Sequence, residues 1–205
     1  MAGVGKKGLI SRSIRHMSPR HVVRSRLSER TVRHVADKYG LVYFGAVDQK
    51  ADDFRPVRGF TVSHTQIDNL YTVGTVQGYD TVLVLRNDLV LTRGQLEKRC
   101  HWFIASVNLH TNTTLPHLYV GPQAANDLFE AAYMQLCPVS LGNTTEYPGK
   151  FISNYSVYSR PSDVIDIERL FPPSVAGTIA SHFANMSYEL VDNTVYVYSE
   201  SKYPN

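Results

Sequence analysis

The side chains with the most chemical promise lie in one short stretch, Arg58-Gly-Phe-Thr-Val-Ser-His64-Thr-Gln-Ile-Asp68. On a β-strand Arg58, Phe60, Val62 and His64 share a face, which sets a guanidinium and an imidazole on one side. A hydrolase needs such a His as base and a carboxylate, here Asp68, to orient it. The chain has no Gly-x-Ser-x-Gly elbow, and no Ser or Cys stands in a local nucleophile signature. Arg58, His64 and Asp68 are the catalytic candidates, in a chain that reads first as a non-enzyme and second as a hydrolase.

Metal chemistry fares no better. His101 and His110 lie nine apart on one expected strand, so they face opposite sides, about 30 Å apart at roughly 3.3 Å per residue. His110 and His117 flank a turn and can meet, but no third ligand accompanies them, and structural histidines are the expectation. Cys100 and Cys137 form no Cys-x-x-Cys pair and have no His at zinc-finger spacing. They read as reduced, small hydrophobes of a cytoplasmic protein. Asp52 and Asp53 are adjacent in a loop, where their side chains diverge into solvent. No Gly-rich phosphate loop occurs, so no cofactor is expected and no metal site is assigned.

Charge is more telling. Residues 1–33 hold Lys6, Lys7, Arg12, Arg15, Arg20, Arg24, Arg26, Arg30 and Arg33 against the single acid Glu29. That arm carries +8 of a whole-chain +3, which leaves −5 on the rest. The cations of residues 1–27, Lys6 through Arg26, are the expected contacts to an anionic membrane surface or to nucleic acid. Ile10, Ile14 and Met17 fall on one helical face and favour lipid, while the arm lacks aromatics for base stacking. The apolar run Gly8-Leu9-Ile10 is too short for a secretory signal, and the Asn-x-Ser/Thr triplets at Asn112, Asn143, Asn154 and Asn185 read as chance. A length of 205 residues with 43% hydrophobic and 19% charged composition suits one folded domain over residues 28–205, preceded by a basic arm over 1–27. No apolar stretch is long enough for a transmembrane helix.

The elements that must position these groups follow from periodicity. A helix is expected over 28–39, with Ser28 as N-cap and Gly40 closing it. Residues 41–44 read as a buried strand, followed by strands over 57–64 and 70–76. Gln77-Gly78 turns the chain into a strand over 79–86, a hairpin placed near the sheet centre. A polar connector over 92–99 leads to a strand over 101–110, whose Phe103, Ala105 and Val107 line the core face. Residues 116–120 form a strand, and Gly121-Pro122 opens a helix to 136 with Ala125, Leu128, Phe129, Ala132 and Leu136 in one stripe. Residues 151–158 read as extended, with Tyr155, Tyr158, Tyr196 and Tyr198 clustering on the C-terminal strands. Ser162 caps a helical turn to Leu170. Pro172-Pro173 introduces a helix over 173–185 that faces the core through Val175, Ile179, Phe183 and Met186. Strands over 188–191 and 194–199 close around an Asp192-Asn193 turn. The fold class is α+β, a largely antiparallel sheet with two main helices, 122–136 and 173–185. The expected core is Val82, Val84, Phe103, Ala105, Val107, Leu128, Phe183 and Val195. A last strand at a sheet edge calls for cover, which a helix beyond residue 205 would supply.

The segments at residues 32–47, 57–64, 68–74 and 78–80 resemble a set of uncharacterised proteins from Saccharibacteria-type bacteria. The order of features, from Val76-Gln-Gly78-Tyr through Leu170-Phe-Pro172 to Asn193-Thr-Val-Tyr-Val197, is similar to a bacterial domain of unknown function called galanin-like. The resemblance spans roughly residues 30–200 and implies no catalytic residue. It implies membrane helices beside the soluble domain, which this chain does not have. The function expected is a binding or scaffold domain, peripheral to the cytoplasmic face of a membrane or joined to a protein partner. The alternatives are the hydrolase at Arg58/His64/Asp68 and nucleic-acid binding through the arm.

Overall fold

The computed structural model describes residues 19–45, 65–91, 97–125, 136–141 and 145–200. The chain opens with α1 (Pro19–Tyr39), a 21-residue helix. Proline suits a first turn, where its missing N–H has no partner to lose. The helix therefore runs through Ser28, which is buried at 6% exposure rather than acting as its cap. Gly40 ends it as expected, at φ +69°, with the Leu41 N–H reaching back to the Ala36 carbonyl at 2.9 Å. Ser28, Val32 and Ala36 form the buried stripe, and α1 lies against the first two strands.

Among the described residues nine strands follow: β1 (Val42–Gly45), β2 (Thr65–Val76), β3 (Tyr79–Leu91), β4 (Glu97–Asn108), β5 (Leu118–Pro122), β6 (Cys137–Pro138), β7 (Tyr155–Ser159), β8 (Ser187–Val191) and β9 (Thr194–Glu200). They form one sheet in the order β1-β2-β3-β4-β9-β8-β5-β7-β6, and every pairing is antiparallel. Two turns set its register. Gln77 and Gly78 both take positive φ (52° and 87°), as do Asp192 and Asn193 (50° and 59°). Such turns match the twist of the strands they join. Asn193 also tethers the loop after β4, accepting from the Leu115 N–H at 2.9 Å and donating to the Thr111 carbonyl at 3.1 Å.

Among the described residues three further α-helices, α2 (Gly149–Asn154), α3 (Val164–Leu170) and α4 (Pro173–His182), contribute to a core on one face of the C-terminal strands. Phe151, Ile167, Phe171, Ala176 and Ile179 meet Leu118, Val120 and Val157 there. The opposite face carries the second core, with Val84, Trp102, Ile104 and the rings of Tyr119, Tyr158, Tyr196 and Tyr198. Backbone pairing draws one cross-strand row through all nine strands, Val42–Val73–Val82–Ser106–Tyr196–Glu189–Tyr119–Tyr158–Pro138.

An antiparallel sheet with few helices is thus what the strand patterning indicated, and several local expectations are corrected. Residues 41–44 do not make a buried strand: β1 is an edge strand with Val42 57% and Phe44 60% exposed. On β4 the buried residues are Trp102, Ile104 and Ser106, while Phe103, Ala105 and Val107 are half-buried, because the second core lies on the other face. Val84 is buried as expected; Val82 and Val195 are half-buried. Gly121 and Pro122 belong to β5, since both pair with β7, and a 3-10 turn over Gln123–Ala125 follows them directly. A Cβ on Gly121 would stand 2.6 Å from the Tyr119 ring, so glycine lets that ring lie over the strand. Most of the expected helix over 122–136, Leu128 included, lies outside the described residues, as does the strand over 57–64. Phe151 is helical rather than extended, because α2 turns it into the first core. Ser162 caps nothing; its hydroxyl donates to the Asp163 carboxylate at 2.6 Å in a short 3-10 turn. On α4 the buried stripe is Ala176, Ile179 and Ala180. Val175 and Phe183 are 40% and 45% exposed, because small side chains let the helix approach its neighbours. Finally, β9 is no edge: it lies between β4 and β8.

Candidate functional site

Two features concentrate charge and polarity, a buried network at the C-terminal half of the sheet and the basic helix α1. The network centres on Glu189, which is 2% exposed. One carboxylate oxygen meets His117 Nε2 at 2.7 Å and the other accepts from the Tyr198 hydroxyl at 2.8 Å. The strand Ser187-Tyr-Glu-Leu-Val191 alternates, which turns Ser187 and Glu189 to the same side as Tyr196 and Tyr198 on β9. The Ser159 hydroxyl donates to the His117 carbonyl at 2.6 Å and fixes the imidazole's backbone from β7. Tyr119 is hydrogen-bonded to Ser187. Burial holds the Tyr119 phenol protonated far above the ordinary tyrosine range, an effect to which Glu189 adds and which the Ser187 bond partly offsets. These groups satisfy one another within the sheet, as the buried Glu189 side chain requires.

A pH dependence follows. A phenol with a raised folded-state pKa favours the folded state fully below the unfolded value of about 10. That contribution is lost as pH rises beyond it, at about 1.4 kcal/mol per pH unit for one such tyrosine. Urea unfolding should therefore give a stability that falls from about pH 10 upward, and Tyr119→Phe should flatten the fall. A wild-type curve parallel to that of Tyr119→Phe would contradict this origin.

The sequence-level histidines separate in space. His101 Nδ1 lies 2.6 Å from Asn87 Oδ1. His110, at φ +51°, has Nε2 3.4 Å from Asp80 on the exposed turn side, and His117 is engaged by Glu189. His110 and His117 thus serve different carboxylates instead of meeting. Among the described residues no group of three His, Cys, Asp or Glu side chains could hold a metal ion. Arg58 and His64 lie outside the described residues, and Asp68 is placed by its backbone, in register with Arg86 on β3. Arg86 is fully buried and escaped the sequence analysis although it ends the apolar run of β3. Glu189 escaped too, although an acid among apolar strand residues was the available signal. The tyrosines of the C-terminal strands, Tyr155, Tyr158, Tyr196 and Tyr198, are all buried and form core rather than surface.

A shallow cleft of about 400 Å³ opens where the end of β5 meets the last turns of α2 and α4, between Gln123, Lys150, Asn154, Tyr155 and Asn185. Its amides are largely engaged: Gln123 Nε2 reaches the Ile152 and Tyr155 carbonyls at 3.4 Å each. Asn154 Nδ2 donates to the Lys150 carbonyl at 2.9 Å, and the Asn185 N–H to the Tyr155 hydroxyl at 3.0 Å. These bonds tie helix ends to the sheet.

The basic helix is the other feature. Arg20, Arg24, Arg26, Arg30, Arg33 and Lys38 lie on α1 against Glu29 and Asp37. Its first turn holds no acid, and Lys38 stands in its last. With Ser28, Val32 and Ala36 turned inward, Arg30 and Arg33 are exposed. Arg33 bonds Glu29 at 2.8 Å and lies 4.4 Å over the Tyr43 ring, linking the helix to β1. Lys6, Lys7, Arg12 and Arg15 lie outside the described residues. No helix among those described is long and apolar enough to cross a membrane. No protein-family model, curated protein or solved structure matches the chain.

Proposed function

We propose that the chain is a non-enzymatic binding domain whose basic N-terminal region holds it against an anionic, cytoplasm-facing membrane surface. The observation that carries this reading is α1. One continuous helix bears six cations against two acids, anchored to the sheet by Ser28, Val32 and Ala36 with Arg30 and Arg33 turned to solvent. Cations fixed to a rigid body act on a surface together, and each contributes about 1 kcal/mol near an anionic leaflet. The buried carboxylate–imidazole pair, His117 with Glu189, spans strands and supports a structural role for those groups rather than a catalytic one.

Co-sedimentation with phosphatidylserine-containing and neutral vesicles tests the proposal. The full chain should pellet with the anionic vesicles at low salt and be released as salt shortens the Debye length to a few ångströms. Removing residues 1–27, or replacing Arg20, Arg24 and Arg26 by Gln in the full chain, should abolish most of the binding. Binding indifferent to lipid charge and to these changes would end the membrane reading. Competition by RNA at equal phosphate would transfer it to nucleic acid, whose contacts show a similar salt dependence.

A further inference from the structure

We infer that the β1 edge of the sheet is a lipid-insertion surface, in which exposed apolar side chains enter the headgroup boundary beside the cations of α1. This deepens the membrane reading and rests on it. The row that is core at one end of the sheet, with Ser106, Tyr196, Glu189, Tyr119 and Tyr158 all buried, ends in exposed residues at the other. There Val42 is 57% exposed and its registered neighbour Val73 37% exposed. Phe44, two positions on from Val42, is 60% exposed. The register is bulged between Tyr43 and Gly45, which leaves Phe44 without a paired partner and exposed on the same edge strand as Val42. Tyr39, 50% exposed, ends the helix three residues before Val42, with the Lys38 ammonium 5.3 Å over its ring. Large apolar side chains clustered at an exposed edge mark an interaction surface rather than scattered surface residues.

Charge selects the occupant. The patch continues directly from a helix that carries six cations and two acids, while the rest of the chain beyond residue 33 is acidic. A second copy paired through β1 would bring two such helices together, and like charges oppose that contact. An anionic bilayer suits both parts at once: phosphates and carboxylates meet Arg30 and Lys38, and Val42, Phe44 and Val73 pass into the acyl boundary. Tyr39 supplies an apolar ring with a polar tip, the kind of side chain enriched at that depth. The lysine stem can lie along apolar surface with its ammonium in the headgroups.

The two contributions separate by salt. Electrostatic attraction is screened, whereas apolar transfer is not. The full chain and the variants V42S, F44S and the double variant are compared for co-sedimentation with phosphatidylserine/phosphatidylcholine vesicles at low and high salt. Both positions are exposed on the edge strand, and far-ultraviolet dichroism verifies that each variant folds. The double variant should bind about tenfold more weakly than wild type, the loss expected for withdrawing roughly one side chain's apolar transfer energy. It should also lose whatever binding survives high salt. In a separate arm Phe44→Trp should show a blue-shifted emission component with anionic vesicles and none with neutral ones. Equal binding of wild type and double variant at both salts overturns the insertion surface while leaving the electrostatic reading intact. No binding of the wild-type chain to anionic vesicles overturns both. A chain that dimerises through V42 and F44 in sedimentation equilibrium, without lipid, also overturns it.

Discussion

Glu189→Ala is expected to lower the unfolding free energy by about 2–6 kcal/mol, the cost of stranding two hydrogen-bonded partners of a buried side chain. The carboxylate is 2% exposed and accepts on both oxygens. Without it, the part-buried His117 and the fully buried Tyr198 hydroxyl lose their shared partner, and each stranded polar group costs about 1–3 kcal/mol. Against a domain stability of roughly 5–15 kcal/mol, this change decides whether the chain folds at all. Glu189→Gln should cost less, since its amide keeps one acceptor for Tyr198. Urea titration followed by Trp102 fluorescence measures both. A loss below about 1 kcal/mol for the alanine variant would show that the network is not cooperative.

Phe151→Ala should cost a similar amount, about 3–5 kcal/mol, for a different reason. The ring is 1% exposed, stacked on Tyr155 at 5.2 Å with 3° between planes and tilted against Phe171 at 5.4 Å. It joins α2 to β7 and to the end of α3, so its removal leaves a cavity bounded by three elements that cannot all move inward. Phe183→Ala is the control. That ring is 45% exposed, and its structural bonds are made by its carbonyl, which accepts from the Tyr155 and Tyr188 hydroxyls at 3.3 and 3.1 Å. Its loss should stay within about 1 kcal/mol, near the centre of ordinary substitutions. Thermal unfolding of the pair should separate by several degrees. Equal shifts would place the core elsewhere.

What could be read from the residues, and what could not, has a physical pattern. Both two-residue turns were legible because Gly78, Asp192 and Asn193 are of the types that most readily take positive φ. The basic patch was legible because charge needs no fold to be counted. The buried side of β4 was not: Phe103, Ala105 and Val107 look more apolar than Trp102, Ile104 and Ser106. The choice between them is made by Tyr196 and Tyr198 on a strand some ninety residues later. On α4, the spacing of Val175, Ile179 and Phe183 is as good a stripe as Ala176, Ile179 and Ala180. Periodicity alone ranks large side chains above small ones, whereas close packing of helix on sheet prefers the small. The β-branched and aromatic residues after Phe151 argue for a strand, and packing overrides them for one helical turn before Tyr155. Glu189 and His117 stand 72 residues apart, so no local pattern could have joined them.

The position of β9 bears on how the molecule comes to exist. The sheet's first four strands are assembled from hairpins and near neighbours, and β5 to β8 form a second group. The groups are joined through Thr194–Glu200, which pairs with β4 on one flank and β8 on the other. Until that segment leaves the ribosome, β4 presents an unsatisfied edge twelve residues long, with its amides and carbonyls open to any extended chain nearby. Contacts between β4 and β9 join residues nearly half the sequence apart, and such distant pairings are slow to form. Nascent chains should therefore pass through an interval in which the two groups are built and separate, and in that interval holdase chaperones or aggregation compete for the same backbone edge.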